Sequence, residues 1–187
     1  MLTLEQGKKL IKVARKTLEI FFEKEKFELI EIEDKIFKEK RGIFVTLEKF
    51  PDKSLRGCIG FPYPVLPLGE AVQKATFSAA FEDSRFPPLK KEELDKILIE
   101  VSVLTEPELI KVKNSKDYFK EIKIGKHGLI LLNGSSGGLF LPQVPVEQKW
   151  NVEQYLENLC YKAGLTSDIW MNTLTRIYRF ETEIFSE

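Results

Sequence analysis

Residues 41–61 read RGIFVTLEKFPDKSLRGCIGF, two strand-like runs on either side of a turn. Ile43, Val45 and Leu47 alternate with Phe44, Thr46 and Glu48, the period-two pattern of a half-buried strand. The FPDKS segment is turn chemistry, because proline fixes one torsion and Asp52 can bond back to the backbone. The second run, LRGCIG, then closes an antiparallel hairpin. On an extended chain Leu55, Gly57 and Ile59 share one face, which the apolar pattern sets toward the core. Arg56, Cys58 and Gly60 share the other, with Arg56 and Cys58 about 6 to 7 Å apart at their Cα atoms.

Outward from the hairpin, Thr3 and Gln6 form a capping-box pair before Leu10, Ile11, Ala14, Leu18, Phe21 and Phe22, predicting a helix from Leu4 to Lys24. Val72, Ala75, Ala79 and Ala80 predict a second helix whose small residues allow close packing on a sheet, and SRFPPL ends it. ILIEVSVL, residues 97–104, is a strand. Two more strands, 129–132 and 139–141, flank the turn containing Gly134, Gly137 and Gly138. Asn151 and Gln154 cap a helix that Gly164 terminates, and LTRIYRFETEIF closes the chain as a single strand with Leu174, Tyr178, Phe180 and Ile184 on one face. Helices and hairpins interleave without a strand-helix-strand rhythm, so the expected class is α+β, a mainly antiparallel sheet flanked by helices.

The 187 residues point to one domain, 1–187, with a larger and a smaller lobe. Lys and Arg (29) balance Asp and Glu (29), which argues against a polyanion-coating protein; the basic run KKLIKVARK reads as a solvated helix face. No uninterrupted apolar stretch predicts a membrane span or signal peptide, so the expected location is cytoplasmic. Two distant cysteines, Cys58 and Cys160, make neither a disulfide framework nor a zinc knuckle, and no metal site is expected.

Cys58 beside Arg56 admits two readings. A nearby guanidinium favours thiolate over thiol and would make the cysteine reactive, with Gly57 and Gly60 leaving room for an approaching group. Equally, the cysteine can be a small hydrophobe, the arginine can meet a carboxylate, and the glycine can mark a bulge. Cys160 falls on a helical core stripe and reads as structural. His127, the only histidine, sits in the turn GKHG and reads as a solvated residue rather than a base. Asp83 and Arg85 follow the small-residue helix on a loop that can aim them at a cleft, or else pair with each other. Gln143, just past Pro142 at a strand end, offers an amide for ligand contact. GSSGG joins two strands and lacks the lysine of a phosphate loop.

In this order the segments resemble the AMMECR domain family, whose hallmark LRGCIG is intact here as Leu55 to Gly60. The match continues in GIFVTL, AAFEDSRFPPL, IEVSVLTEPE, IGKHGLIL, LFLPQVPVEQKW and LCYKAGL, from about Gly42 to Phe180. The resemblance implies a two-lobed α+β fold with the hexapeptide beside a cleft between the lobes. By family association it also implies Memo-like and radical S-adenosylmethionine proteins as partners in a protein or nucleic-acid modification pathway. It departs at GSSGG, where relatives often carry an arginine, and it does not require His127. The expectation is therefore an enzyme or enzyme-system component. Cys58 and Arg56 would be its catalytic pair, and Gly57, Gly60, Asp83, Arg85 and Gln143 would shape a small-molecule or protein site, with any cofactor unspecified. The alternative is a non-catalytic protein-binding or adaptor module.

Overall fold

The computed structural model describes residues 2–172 and 174–187 and divides into two compact units, 1–104 with 183–187, and 105–182. The fold is α+β, as the sequence predicts: each unit is built on a four-stranded sheet with helices.

In the first unit, β1 (Ile43–Lys49) pairs antiparallel with β2 (Leu55–Phe61) and with β3 (Ile97–Leu104). The strand order is β2-β1-β3-β8, where β8 is Thr182–Ser186, so β2 is an edge strand. Helix α1 spans Leu4–Lys24 with the Thr3–Gln6 capping box formed at its N-terminus, and α2 spans Leu68–Phe81. The expected alternation holds across the central strands: Ile43, Val45 and Leu47 lie opposite Val103, Val101 and Ile99, and all are buried with Leu10, Ala14 and Leu18 of α1 and Val72, Ala75 and Ala79 of α2. The small residues of α2 do what their size permits. A side chain at Gly57 would collide with the Ala79 carbonyl, so helix and edge strand meet backbone to backbone.

In the second unit the strand order is β4-β7-β5-β6: β4 Glu108–Leu109, β5 Gly128–Asn133, β6 Ser136–Phe140 and β7 Arg176–Phe180. Its helices are α3 (Tyr118–Glu121), α4 (Gln143–Glu147) and α5 (Val152–Lys162). Asn133 pairs with Ser136, so the β5–β6 turn is only Gly134 and Ser135, and Gly134 carries the positive φ of 58° that such a turn requires. Gly138 serves α5 instead, because a Cβ there would press on Leu159 and Ala163. Asn151 and Gln154 form the second capping box, and Gly164 closes α5 at φ 73°. Cys160 is fully buried in this unit's core.

The closing segment departs from expectation. It is two strands, β7 and β8, which join different sheets with only Glu181 between them. On β7 Ile177 and Phe180 are buried, whereas Leu174, before that strand, and Ile184, beyond the change of sheet, are exposed. Among the described residues, no helix is long and apolar enough to cross a membrane.

Candidate functional site

The hexapeptide does not alternate as a regular strand would. Leu47 pairs with Gly57 but Glu48 pairs with Leu55, so Arg56 is an extra residue with no partner on β1. This bulge shifts everything before Gly57 by one face. Leu55, assigned to the core by period two, is 40% exposed, and Arg56, assigned to the display face, is 3% exposed. Beyond the bulge the expected faces hold: Gly57 meets α2, and Cys58 lies on the opposite face.

The buried Arg56 guanidinium is held by Glu93, Nε donating at 2.8 Å to Oε1 and one terminal nitrogen at 3.1 Å to Oε2. Glu93 also accepts from the Lys90 backbone N–H, and its carboxyl is held below the usual range, first by the Arg56 hydrogen bonds. The other terminal nitrogen, Nη1, is buried without a hydrogen-bond partner among the described residues. Arg56 thus meets a carboxylate from the turn before β3 rather than the thiol. This is the structural alternative that the residue types allowed.

A different arginine reaches Cys58. Its backbone N–H donates to Asp83 Oδ2 at 2.9 Å, and its carbonyl accepts from Arg85 Nη2 at 3.1 Å. The carboxylate and guanidinium bind each other as well, Nε to Oδ1 at 2.9 Å and Nη2 to Oδ2 at 2.7 Å. Asp83 and Arg85 therefore form one bracket on the outward-facing polar groups of an edge strand, which would otherwise be open to pairing with another chain. Within it Asp83 is 4% exposed and its carboxyl is held far below the usual range, chiefly by Arg85. The Arg85 side chain is 53% exposed.

The thiol is half-buried, and burial pushes it up despite the opposing influence of Thr46 and Arg85. Thr46, opposite Cys58 on β1, donates its hydroxyl to the sulfur at 3.4 Å, and Glu100 lies opposite Thr46 on β3. The Glu100 carboxyl is likewise pushed up, by burial and then by Glu48. Cys58, Thr46 and Glu100 thus form a polar row across three strands. Gly60 leaves no opening there, because the Phe44 ring occupies the place its side chain would take. Glu93, Thr46 and Glu100 were not singled out from the sequence. Hairpin register could have supplied Thr46; Glu93 is 37 residues from Arg56 and gives no local signal.

Gln143 and His127 belong to the second unit. Gln143 does not follow the strand in a plain turn but opens α4, and its Oε1 is buried without a partner among the described residues. His127 is buried rather than solvated, and its Nδ1 accepts the Lys123 backbone N–H at 3.2 Å, which assigns the proton to Nε2. Burial lowers its basicity further. The structure therefore brings Arg56, Cys58, Asp83 and Arg85 together in one unit, with Gly57 and Gly60 packed as described.

Comparison with known proteins gives consistent matches over the whole chain. A family model described as AMMECR1 matches residues 11–185. Protein MJ0810 of Methanocaldococcus jannaschii is 52% identical over 187 residues, covering 100% of this chain and 92% of the relative. Protein MK0488 of Methanopyrus kandleri is 48% identical, covering 100% and 90%. The crystal structure of the uncharacterised protein PH0010 from Pyrococcus horikoshii superposes with a TM-score of 0.88 at 45% identity, covering 98% of this chain and 92% of that one.

Proposed function

The chain belongs to the AMMECR1 family, and from the site it builds we propose that its first unit is a binding component of a cytoplasmic enzyme system. In this reading a neutral Cys58 thiol and the Arg85 guanidinium together receive an anionic group. The supporting observation is the bracket on Cys58. Asp83 is almost wholly buried and holds the Cys58 N–H while Arg85 holds the Cys58 carbonyl, and the guanidinium is left half exposed at this residue. A cation fixed by a buried carboxylate is held in place before any ligand arrives, which lowers the ordering cost of binding. Thiolate catalysis has less support: burial raises the thiol, and the neighbouring Arg56 is engaged by Glu93. The Memo-like and radical S-adenosylmethionine proteins are the proposed partners in that system.

The test is charge-selective alkylation. Cys160 is fully buried, so Cys58 is the thiol that reacts in the folded chain. In a water-like medium a cation about 6 Å from an approaching anion favours it by roughly 0.7 kcal/mol, or about threefold. The rate ratio of iodoacetate to iodoacetamide at Cys58 should exceed that of a free small thiol by about this factor. It should fall in Arg85→Gln and persist in Arg85→Lys. A ratio equal to that of the free thiol would sink the proposal, and rapid alkylation by both reagents at neutral pH would favour a nucleophilic Cys58 instead.

A further inference from the structure

The second unit carries a pocket that plays no part in the reading above. It has a volume of about 330 Å³ and lies between the chain after β4 and the segment leading into β7. Lys111 and Lys113 are exposed, are separated by the half-buried Val112, and both line it. Arg176 lines the same pocket at the start of β7.

The register sharpens this cluster. Glu108 pairs with Arg179 and Leu109 with Tyr178, and the Ile110 N–H donates to the Ile177 carbonyl at 2.9 Å. Extending this register by one step sets Lys111 across from Arg176, and both line the pocket. Like charges directly opposite on neighbouring strands destabilise a sheet. None of the three cations takes part in an ion pair among the described residues, and no Asp or Glu lines the pocket. Nearby Asp117 is engaged by Lys120 at 3.3 Å.

Part of the remaining wall is aromatic, beside Asn114, Ser115, Asn172 and Thr175. Tyr118 and Trp170 are each 5% exposed and meet edge to face with ring centroids 6.3 Å apart. Both side chains line the pocket, and each carries a donor, the Tyr118 hydroxyl and the Trp170 indole N–H. Three cations and two neutral donors, with no carboxylate among them, exceed what one carboxylate could neutralise. We propose that this pocket binds a small phosphate-bearing anion, whose charge relieves the Lys111–Arg176 repulsion and whose oxygens take the Tyr118 and Trp170 donors.

Trp170 provides the readout in a Trp150→Phe background, titrated with inorganic pyrophosphate at constant ionic strength. The fluorescence should change saturably, and Lys111→Gln or Arg176→Gln should weaken binding at least about tenfold, the loss of one charged hydrogen bond. Melting temperature gives a second measure. Pyrophosphate should raise it in the unsubstituted chain and not in Lys111→Gln, which should itself melt higher than the unsubstituted chain when no anion is present. Lys113→Gln serves the binding measurement if another variant folds poorly. Absence of a saturable signal through millimolar pyrophosphate, or unchanged affinity in the Gln variants, would overturn the site. Malonate binding as tightly as pyrophosphate would overturn the phosphate assignment.

Discussion

Replacing Asp83 by Asn keeps the shape of the side chain and removes the charge on which the bracket around Cys58 depends. The carboxylate accepts four hydrogen bonds, from the Cys58 N–H and from the Arg85 N–H, Nε and Nη2. An amide offers one accepting oxygen, and its NH2 would then face groups that also donate. Hydrogen bonds to a charged group contribute about 1.5–3 kcal/mol when buried, but half of the Arg85 side chain is in water and its share must be discounted. With the Cys58 contact kept at full weight, the loss is about 2–4 kcal/mol. At a urea slope of about 2 kcal/mol per molar this lowers the unfolding midpoint by about 1–2 M. Far-UV circular dichroism at neutral pH measures it. The folded carboxyl is depressed, so its contribution is complete above the ordinary carboxylate value near 4 and is lost as pH falls through the folded value. The gap between the unsubstituted chain and Asp83→Asn should therefore narrow as pH falls from about 4 toward 2. A neutral-pH difference below about 0.5 kcal/mol, or a gap unaltered on acidification, would refute the bracket as a stabilising element.

Three further outcomes are expected. Gly57→Ala should cost about 1–3 kcal/mol by pressing a methyl group on the Ala79 carbonyl; urea midpoints equal to those of the unsubstituted chain would contradict the close packing of β2 on α2. Glu93→Gln should cost about 3 kcal/mol because it strands the buried Arg56 charge, whereas the double change Arg56→Met with Glu93→Gln should recover much of that loss. If the double variant is no more stable than Glu93→Gln alone, burial of an unpaired charge is not the cause. Iodoacetamide modification of Cys58 should reach half its maximal rate above pH 8.5, since a raised thiol holds less thiolate at any given pH; a midpoint near or below about 8.5 would reverse the assignment.

Much of the fold was legible because its signals are local. Thr3 with Gln6 and Asn151 with Gln154 satisfy exposed helix-end donors within one turn, and both boxes form where the sequence places them. The alternation of β1 and β3 likewise reports a sheet with one buried face. Two errors share a cause. Counting by twos carries a face assignment through any run that looks extended, yet the bulge at Arg56 adds one residue and the passage at Glu181 changes sheets. Neither has a decisive residue type, so Arg56 and Ile184 fall on faces that such counting does not predict, while Phe180 is buried as expected. Of the candidate site, Asp83 and Arg85 could be picked out as unusual residues after a helix. Their grip on the Cys58 backbone could not, because it depends on how α2 docks beside β2.

The bulge also alters what the hexapeptide can offer chemically. A regular strand would have displayed Arg56 and Cys58 as an adjacent cation and thiol, an arrangement suited to forming thiolate. The extra residue removes Arg56 to Glu93, Gly57 is committed to α2, and Gly60 to the Phe44 ring. Of the six residues, the exposed Leu55 and the half-buried Cys58 are what the fold leaves available, since Ile59 packs against the core. The cation beside the sulfur comes instead from Arg85, 27 positions away, held through Asp83. A charge delivered in this way stays fixed whatever the protonation of the thiol, because its own partner is a buried carboxylate. That separates recognition of an anion, which the Asp83–Arg85 bracket supports, from activation of a nucleophile, which burial of Cys58 opposes. Substitutions at Arg85 should therefore alter anion selectivity at the sulfur, while substitutions at Arg56 should act on stability first.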